Sequence, residues 1–262
     1  MFIDSHCHVN FDALRDDYPA IAEKMKQNGV QQALCVSVNL PDWDSMMTMV
    51  DAQPTLWASV GVHPGYEDAI DPTIDDLVTR AQHPKVVAIG ETGLDYYYAK
   101  GDLTWQRERF RTHIRAAREA QLPLIIHTRD AVEDTLRIME EEKAHEVGGV
   151  MHCFTESLEM AQACMAMGFY ISFSGIVTFN SAKDLQETAK SIPLERMLIE
   201  TDSPYLAPVP YRGKQNDPSK VIHVAEKLAV LKSVSLDQIA QSTTQNFFNL
   251  FNKIDEKHHV KH

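Results

Sequence analysis

Two histidines stand two residues apart near the start of the chain, in the sequence DSHCH at positions 4–8. The apolar pair before this segment favours a β-strand, and side chains two residues apart in a strand point to the same side. The imidazoles of His6 and His8 are therefore predicted to face one spot, where they could bind a metal ion. A pair of surface histidines is the alternative, because a short motif also arises by chance.

Histidines and acids also follow the ends of later apolar runs. These candidate residues are His63, Glu91, His127, His152, Glu200 and Asp202. Taken singly, each has a structural explanation, such as an acid at a helix start or a histidine hydrogen-bonded in the core. Together with the first histidine pair, however, they occupy six of the eight predicted strand ends, and in a barrel those ends converge on one mouth. The set therefore indicates a metal site.

Eight apolar, β-prone runs alternate with segments of helical periodicity. The predicted strands are Phe2–Asp4, Ala33–Val38, Leu56–Val62, Val86–Ile89, Pro123–His127, Gly149–His152, Phe169–Phe173 and Met197–Glu200. The predicted helices are Tyr18–Asn28, Trp43–Ala52, Ile74–Gln82, Leu103–Ala120, Asp130–Lys143, Ser157–Met167, Ala182–Ser191, Pro218–Lys232, Leu236–Ala240 and Gln245–Phe251. This alternation predicts an α/β fold, a (β/α)8 TIM barrel in a single domain over residues 1–262. An open doubly wound sheet is the alternative, but it would require a glycine-rich phosphate loop after the first strand.

The bulk composition narrows the class of protein. The chain has 262 residues, of which 44% are hydrophobic and 24% charged, and its formal net charge is −12. This acidic balance excludes a broad nucleic-acid-coating surface but leaves room for a small basic pocket. No apolar run reaches the ~18–20 residues of a membrane span and no signal-peptide pattern is present, so we expect a cytoplasmic protein without membrane association. The four scattered cysteines predict reduced thiols.

The candidate ligands are too many for one catalytic zinc ion, which keeps about three protein ligands and a water. Six ligands suit two divalent cations held about 3.5–4 Å apart, with one carboxylate bridging them. Glu91 is the predicted bridge. The first cation is assigned to His6, His8 and Asp202, and the second to His127 and His152. Mg, Mn, Zn and Ni are all compatible with these ligands.

A pair of divalent cations favours hydrolysis of a phosphodiester, because it activates a shared water and holds the attacking and leaving oxygens. Asp202 is the candidate general base, and Glu91 is the second candidate catalytic residue through its bridging position. Glu200 could support a ligand or bind a third ion, with a buried ion pair as the structural alternative. His63 could contact the substrate or protonate the leaving group.

Three cations are predicted near the mouth, where they could bind substrate phosphates. Arg129 follows a predicted ligand by two residues, and Arg212 and Lys214 lie in the loop after the eighth strand. Arginine suits forked phosphate contacts, and loops after the last strands of a barrel often bind phosphate. Ordinary solvated surface is the alternative. The three tyrosines at 96–98 could stack on a nucleobase or merely pack.

Taken together, these motifs resemble the TatD family of metal-dependent hydrolases, in the amidohydrolase superfamily. The matching segments are DSHCH (4–8), GVHP (61–64), GETGLD (90–95), HTRD (127–130), HCF (152–154) and ETDSPYL (200–206). Two further segments, YRGK (211–214) and TQNF (244–247), are similar to a bacterial branch often described as deoxyribonucleases. The likeness therefore runs from the first predicted strand to beyond the last.

The resemblance implies a TIM barrel, two divalent metals and hydrolysis of DNA phosphodiesters, in some members by 3′-to-5′ exonuclease action on single strands. Carried over by motif, it assigns metal one to His6, His8, Glu91 and Asp202, and metal two to Glu91, His127 and His152. Single-stranded DNA ends are accordingly the expected partner, with no obligate protein partner.

Two other functions are compatible with the same residues. An amidohydrolase, lactonase or aminoacyl-ester hydrolase could use the same two-metal site, although related barrels of that kind commonly bridge their metals with a modified lysine. Here the bridge position is Glu91, and no lysine lies at that strand end. A non-catalytic metal-binding protein is the third possibility. An assay for hydrolysis of a model phosphodiester and of DNA distinguishes the nuclease from these two other functions.

Overall fold

The computed structural model describes residues 1–254. Eight parallel strands pair in the order β1 to β8. Their bounds are β1 Phe2–Cys7, β2 Val30–Cys35, β3 Leu56–Val60, β4 Val86–Asp95, β5 Leu124–Arg129, β6 Gly149–Met151, β7 Phe169–Phe173 and β8 Met197–Ile199. A parallel bridge between Cys7 and Ser203 brings the first strand against the segment after the last. The predicted (β/α)8 TIM barrel is confirmed.

Helices cover the outside of the sheet and follow the strands along the chain. The α-helices are α1 Asp12–Arg15, α2 Tyr18–Gln27, α3 Trp43–Ala52, α4 Ile74–Ala81, α5 Thr104–Ala120, α6 Val132–Glu141, α7 Leu158–Ala166, α8 Lys183–Ser191, α9 Val221–Lys232 and α10 Leu236–Leu250. Short 3-10 helices span Ala144–Glu146, Gly175–Thr178, Leu194–Arg196 and Pro218–Lys220. Within residues 1–254, no helix has the length and apolarity needed to span a bilayer.

The last helix differs from its prediction. The sequence predicted two helices separated at the polar segment 241–244, whereas α10 is continuous. Thr243 donates its hydroxyl to the carbonyl of Ile239, at 2.8 Å, so the polar side chain is satisfied within the helix instead of breaking it. The single domain over residues 1–262 stays a prediction, because the tail 255–262, interpreted from its sequence as a frayed end, lies outside the described residues.

Alternate strand residues fill the interior of the barrel. Ile125, Val150 and Leu198 belong to one apolar cluster, whereas the residues beside them pack in a second cluster against the outer helices. Two positions beyond these inward residues come His127, His152 and Glu200. Side chains two residues apart in a strand point to the same side. The apolar residues therefore form a layer inside the barrel, and the polar residues form the next layer toward the carboxyl ends of the strands.

The first strand needs an irregularity to present its histidines. Its pairing register with β2 shifts between Asp4 and Cys7. Ile3, at an odd position, belongs to the inner apolar cluster. Strict alternation would turn the even positions His6 and His8 away from the interior, and the register shift allows them to face it. At the other end of the barrel, phenylalanines of α10 join the inner cluster and close the apolar layer.

One polar face of α5 holds the loop that follows β3. Arg109 is buried and donates to the carbonyls of His63, Tyr66 and Ala69. One turn further on, His113 accepts from the backbone N–H of Val62 at 3.0 Å through Nε2 and donates to the Arg109 carbonyl at 2.8 Å through Nδ1. This arrangement requires a neutral imidazole, and it fixes the backbone on which His63 stands.

The neutral His113 makes the stability of the barrel depend on pH. Burial lowers its pKa to about 4, below the ~6.5 of an exposed histidine. The unfolded chain therefore binds the extra proton, so this contribution is complete above pH 6.5 and falls as pH drops toward 4, by about 3 kcal/mol in total. We expect urea unfolding to show that the stability gap between wild type and His113→Gln narrows from pH 7 to pH 4.5. A constant gap would contradict this assignment.

Candidate metal centre

The side chains predicted as ligands meet around Glu91 at the mouth of the barrel. Its Oε2 lies 3.3 Å from Nε2 of His6 and 3.8 Å from Nε2 of His8. The Oδ1 of Asp202 completes this group, at 3.4 Å from Nε2 of His8 and 3.7 Å from Nε2 of His6. All four side chains are at least four-fifths buried. These are the residues that the sequence assigned to the first metal.

The other oxygen of Glu91 faces a second group. Its Oε1 lies 2.8 Å from Nε2 of His152, 3.4 Å from Nδ1 of His127 and 3.3 Å from Nε2 of His63. The sequence analysis expected the first two as ligands and treated His63 as a substrate contact. His63 stands as near to the carboxylate as His127 does, so it is a candidate ligand as well.

The outer partners of three histidines decide which nitrogen faces Glu91. Nδ1 of His8 contacts the carbonyl of Val36 at 3.0 Å, and Nδ1 of His152 contacts Glu200 Oε1 at 3.1 Å. Nε2 of His127 contacts Asp95 Oδ2, also at 3.0 Å. Because these oxygens only accept, each contacting nitrogen carries the proton. In the neutral form of each ring, the form that binds a metal, the remaining nitrogen carries a lone pair aimed into the cluster.

This arrangement concentrates negative potential in a buried place. Burial alone would raise the pKa of Glu91, but the histidines, led by His152 and His63, hold it well below its usual range. Burial would lower the pKa of His152, but the carboxylates of Glu91 and Glu200 raise it well above the ordinary value. Carboxylates and inward lone pairs together demand positive charge, and divalent cations supply it.

The spacing of the donor atoms fits a metal ion. Nε2 of His6 and Nε2 of His8 lie 3.2 Å apart. Two nitrogens bound to one tetrahedral zinc at about 2.0–2.1 Å would be separated by about 3.3 Å. In addition, Nε2 of His152 is buried and, within residues 1–254, makes no well-directed hydrogen bond, although it lies 2.8 Å from Oε1 of Glu91. A shared cation accounts both for the close approach of the His6 and His8 nitrogens and for the buried nitrogen of His152.

Glu200 supports a ligand in this cluster. Its Oε1 accepts from Nδ1 of His152 and from the backbone N–H of Cys153, the latter at 2.8 Å, and the residue is fully buried. Its Oε2 has no hydrogen-bond partner among the described residues. The geometry therefore favours the supporting role that the sequence proposed for Glu200, and the third-ion interpretation stays a prediction.

Two acids that position the site were not singled out by sequence. Asp4 is buried between the first and last strands and accepts from the backbone N–H of Thr201 at 2.8 Å and of His6 at 3.3 Å. It thereby ties the strand that carries the histidine pair to the segment that carries Asp202. Asp95 is the second, because its carboxylate orients His127. Its position four residues after Glu91 in β4 was the available signal.

Asp95→Asn should weaken metal binding at the His127 side of the cluster. Its Oδ1 accepts from the backbone N–H groups of Tyr97 and Tyr98, and asparagine can keep those bonds. An amide N–H₂ in place of Oδ2 would face Nε2 of His127, turn it into an acceptor and move the ring proton to the nitrogen that faces Glu91. We expect metal affinity to fall about 10–100-fold in isothermal titration. Asp134→Asn serves as control; affinity equal to wild type in both variants would refute the role of Asp95.

The predicted phosphate-binding cations lie at the end of β5 and in the loop after β8. The guanidinium of Arg129 stacks over Tyr97, at 4.0 Å from the ring centroid, and that of Arg212 stacks over Phe179 at 4.4 Å. Lys214 is exposed in the loop after β8. Within residues 1–254, none of the three forms an ion pair with Glu91 or Asp202, so their side chains stand outside the cluster.

Comparison with known proteins agrees with this geometry. The family described as "TatD related DNase" matches residues 3–252. The chain belongs to the TatD family. An Escherichia coli relative, "Uncharacterized metal-dependent hydrolase YcfH", is 47% identical over 253 residues, covering 95% of each chain. A Bacillus subtilis relative, "Uncharacterized metal-dependent hydrolase YabD", is 46% identical over 254 residues, covering 96% of this chain and 99% of the relative.

A solved structure of a TatD homologue shares the fold. The crystal structure of the Escherichia coli protein YJJV superimposes with a TM-score of 0.89 at 28% identity, over 96% of this chain and 98% of that one. The TatD assignment and the buried cluster of histidines and carboxylates together identify the chain as a metal-dependent hydrolase.

Proposed function

We propose that this TatD protein hydrolyses the phosphodiester bonds of DNA, working from the 3′ end of single strands with two divalent cations. The observation that carries the proposal is that the two carboxylate oxygens of Glu91 face different groups of candidate ligands. Its Oε2 faces His6 and its Oε1 faces His152. One carboxylate between two sets of ligands is what a pair of bridged cations requires. The description of the matching family as a DNase supports the choice of substrate.

Each residue of the cluster has a distinct part in this proposal. Glu91 would hold both cations. One cation would be held by His6, His8 and Asp202, and the other by His127 and His152, with His63 as a further ligand or substrate contact. Two divalent cations, when bound, supply an acidified water and offset the charge of the phosphate. Asp202 accepts the proton of the attacking water, and Glu200 and Asp95 keep their histidines in the ligating tautomer.

The two mouth arginines support a phosphate-containing substrate. Of eleven arginines in the chain, eight form ion pairs, namely Arg15, Arg80, Arg107, Arg109, Arg111, Arg115, Arg118 and Arg137. Within residues 1–254, Arg129 and Arg212 have no carboxylate partner, although the chain is strongly acidic. Their stacked guanidinium groups keep their N–H donors free for phosphate oxygens. Lys214 adds a third positive charge on the same loop as Arg212.

Arg129→Met and Arg212→Met should each raise KM for a single-stranded oligonucleotide about tenfold or more, since a charge-assisted hydrogen bond contributes roughly 1.5–3 kcal/mol. Metal content should stay at the wild-type value, because neither guanidinium touches a ligand. Arg196→Met is the matched control, since Arg196 also stacks on an aromatic ring, Tyr170, at the start of β7. If KM in the Arg129 and Arg212 variants equals that of wild type and of Arg196→Met, phosphate binding by the mouth arginines is excluded.

The reaction itself is tested with 3′-labelled and 5′-labelled single-stranded oligonucleotides under Mg, Mn, Zn and Ni. Release of the 3′ label as a mononucleotide by wild type, with a ladder of shortened 5′-labelled products, supports the proposal. Intact oligonucleotides under all four metals would refute it. Lactones, amides and aminoacyl esters then become the substrates to screen, since the same cluster can activate water against them.

The expected setting follows from the same reasoning. We propose that the protein acts in the cytoplasm, supported by its four free cysteines, which suit a reducing compartment. Its proposed partner is the DNA end itself, with no obligate protein partner and no membrane. Localisation of a fluorescent fusion together with a marker of the cytoplasm tests this placement.

A further inference from the structure

Two exposed tyrosines stand beside the metal centre with an arginine between them. Tyr97 is 49% exposed and Tyr98 is 71% exposed. The guanidinium of Arg129 lies 4.0 Å from the centroid of Tyr97 and 4.8 Å from that of Tyr98, and the two rings meet edge to face. We call these three residues the tyrosine platform. Neighbouring aromatic rings that are exposed together often mark a binding site.

The neighbouring Tyr96 shows what a merely packed tyrosine looks like in this loop. Its hydroxyl donates to Asp134 at 2.6 Å, and its ring packs against the main apolar cluster. Tyr97 and Tyr98 have neither feature among the described residues. The loop therefore uses its first tyrosine to fasten itself and presents the next two to solvent.

The platform is fixed to the catalytic cluster through one carboxylate. Oδ1 of Asp95 accepts from the backbone N–H groups of Tyr97 at 3.0 Å and Tyr98 at 3.1 Å. Oδ2 of the same residue contacts His127, the candidate ligand. Arg129 itself stands two residues after His127 on β5. The platform is thus held at a set place relative to the His127 side of the cluster.

We infer that the tyrosine platform is a subsite for a nucleobase, on the His127 side of the bond that is cut; this rests on the function proposed above. A base stacks on the open face of Tyr98 or Tyr97, while the N–H edge of Arg129 meets the adjoining phosphate. Every base has a flat π face, so such a subsite accepts all four bases. It also requires an unpaired strand, because a base stacked within a duplex cannot present its face to a protein ring.

Alternatives for these residues lead to different chemistry. A peptide or sugar substrate would not explain an arginine whose face is occupied by two rings and whose donors are free. A purely structural role would leave the rings packed and hydrogen-bonded, as the partly buried Tyr96 is. The charge of Arg129 and the open rings together match the phosphate and base of one nucleotide.

The test compares binding of two oligonucleotides to the metal-loaded, full-length protein. Both are 5′-fluorescein octamers with phosphorothioate linkages, which resist hydrolysis, and they differ only in whether their last four nucleotides carry thymine or are abasic. Fluorescence anisotropy gives a Kd for each. In wild type, the thymine oligonucleotide should bind about 5- to 150-fold more tightly, the range expected for base–aromatic stacking.

Three variants locate that preference. The double variant Tyr97→Leu/Tyr98→Leu should bring the Kd ratio close to one, whereas Tyr97→Phe/Tyr98→Phe, which keeps both rings, should retain it. Tyr170→Leu, which removes an arginine-stacked tyrosine at the opposite end of the barrel, should also retain it. Because each protein is compared with itself, a partial loss of folding or metal cancels in the ratio.

The outcomes separate this inference from the proposed reaction. A wild-type ratio near one, or a ratio that persists in the double leucine variant, overturns the base subsite even if the enzyme cleaves DNA. A ratio that disappears only in the leucine variant supports the subsite even if labelled oligonucleotides stay intact in the cleavage assay, in which case the proposed reaction alone fails.

Discussion

Glu91→Gln is expected to lower hydrolysis at least about 10³-fold, because metal-assisted catalysis rests on several kcal/mol of charge stabilisation and about 1.4 kcal/mol corresponds to tenfold in rate. The substitution keeps the shape of the side chain and removes only its charge. Glu91 contacts nitrogens on both sides of the cluster, so the substitution affects both sets of candidate ligands. Metal analysis should therefore find fewer bound ions than in wild type.

Thermal unfolding with and without added metal separates loss of metal from loss of fold. In wild type, added metal should raise Tm by mass action, since it binds only the folded state. In Glu91→Gln the rise should be small. Glu156→Gln is the control, a half-buried acid in the loop after β6 that is not among the candidate ligands. Wild-type activity in Glu91→Gln would remove the bridging carboxylate from any mechanism.

Asp202→Asn should have the second largest effect, a loss in kcat of about 10²–10⁴-fold, the usual contribution of a general base. The side chain stands 3.4 Å from Nε2 of His8. Asparagine is the proper replacement because Asp202 has φ 53°, a left-handed conformation that aspartate and asparagine adopt more readily than other non-glycine residues. The variant therefore removes the charge without adding backbone strain.

Measurement at saturating metal distinguishes the two parts of Asp202. If it acts as base, kcat stays low however much metal is added; if it acts only as a ligand, excess metal restores kcat. Asp130→Asn controls for the substitution, since Asp130 shares the same φ of 53° and is exposed after β5. A restored kcat would leave the proton without an acceptor in our proposal and would point to another residue.

The barrel could be predicted because its strands are continuous apolar runs and its ligands follow the strand ends. His127 and His152 stand two positions beyond inward apolar residues, so the period of a strand placed them correctly. The groups that orient the histidines were harder to predict, because some of them are backbone atoms. The carbonyl of Val36 orients His8, and a backbone carbonyl has no sequence signature.

Other features depended on contacts that only the folded chain provides. His63 lies beside the candidate ligands because α5 holds its loop against the mouth, through Arg109 and His113. No local sequence pattern connects those residues. The division of labour among the tyrosines at 96–98 rests on which of them finds a partner across the loop. The three residues are identical in type, so their sequence cannot distinguish them. Their different roles depend on contacts with Asp95 and Asp134.

The bond between Asp4 and Thr201 joins positions 197 residues apart and has a consequence for synthesis. During synthesis on the ribosome, His6 and His8 are made long before Asp202. Glu91, His127 and His152 are complete much earlier. A shortened chain that ends before β8 would therefore carry part of the candidate ligand set without Asp202. Under the proposed ligand assignment, full metal loading therefore requires that translation has passed the last strand.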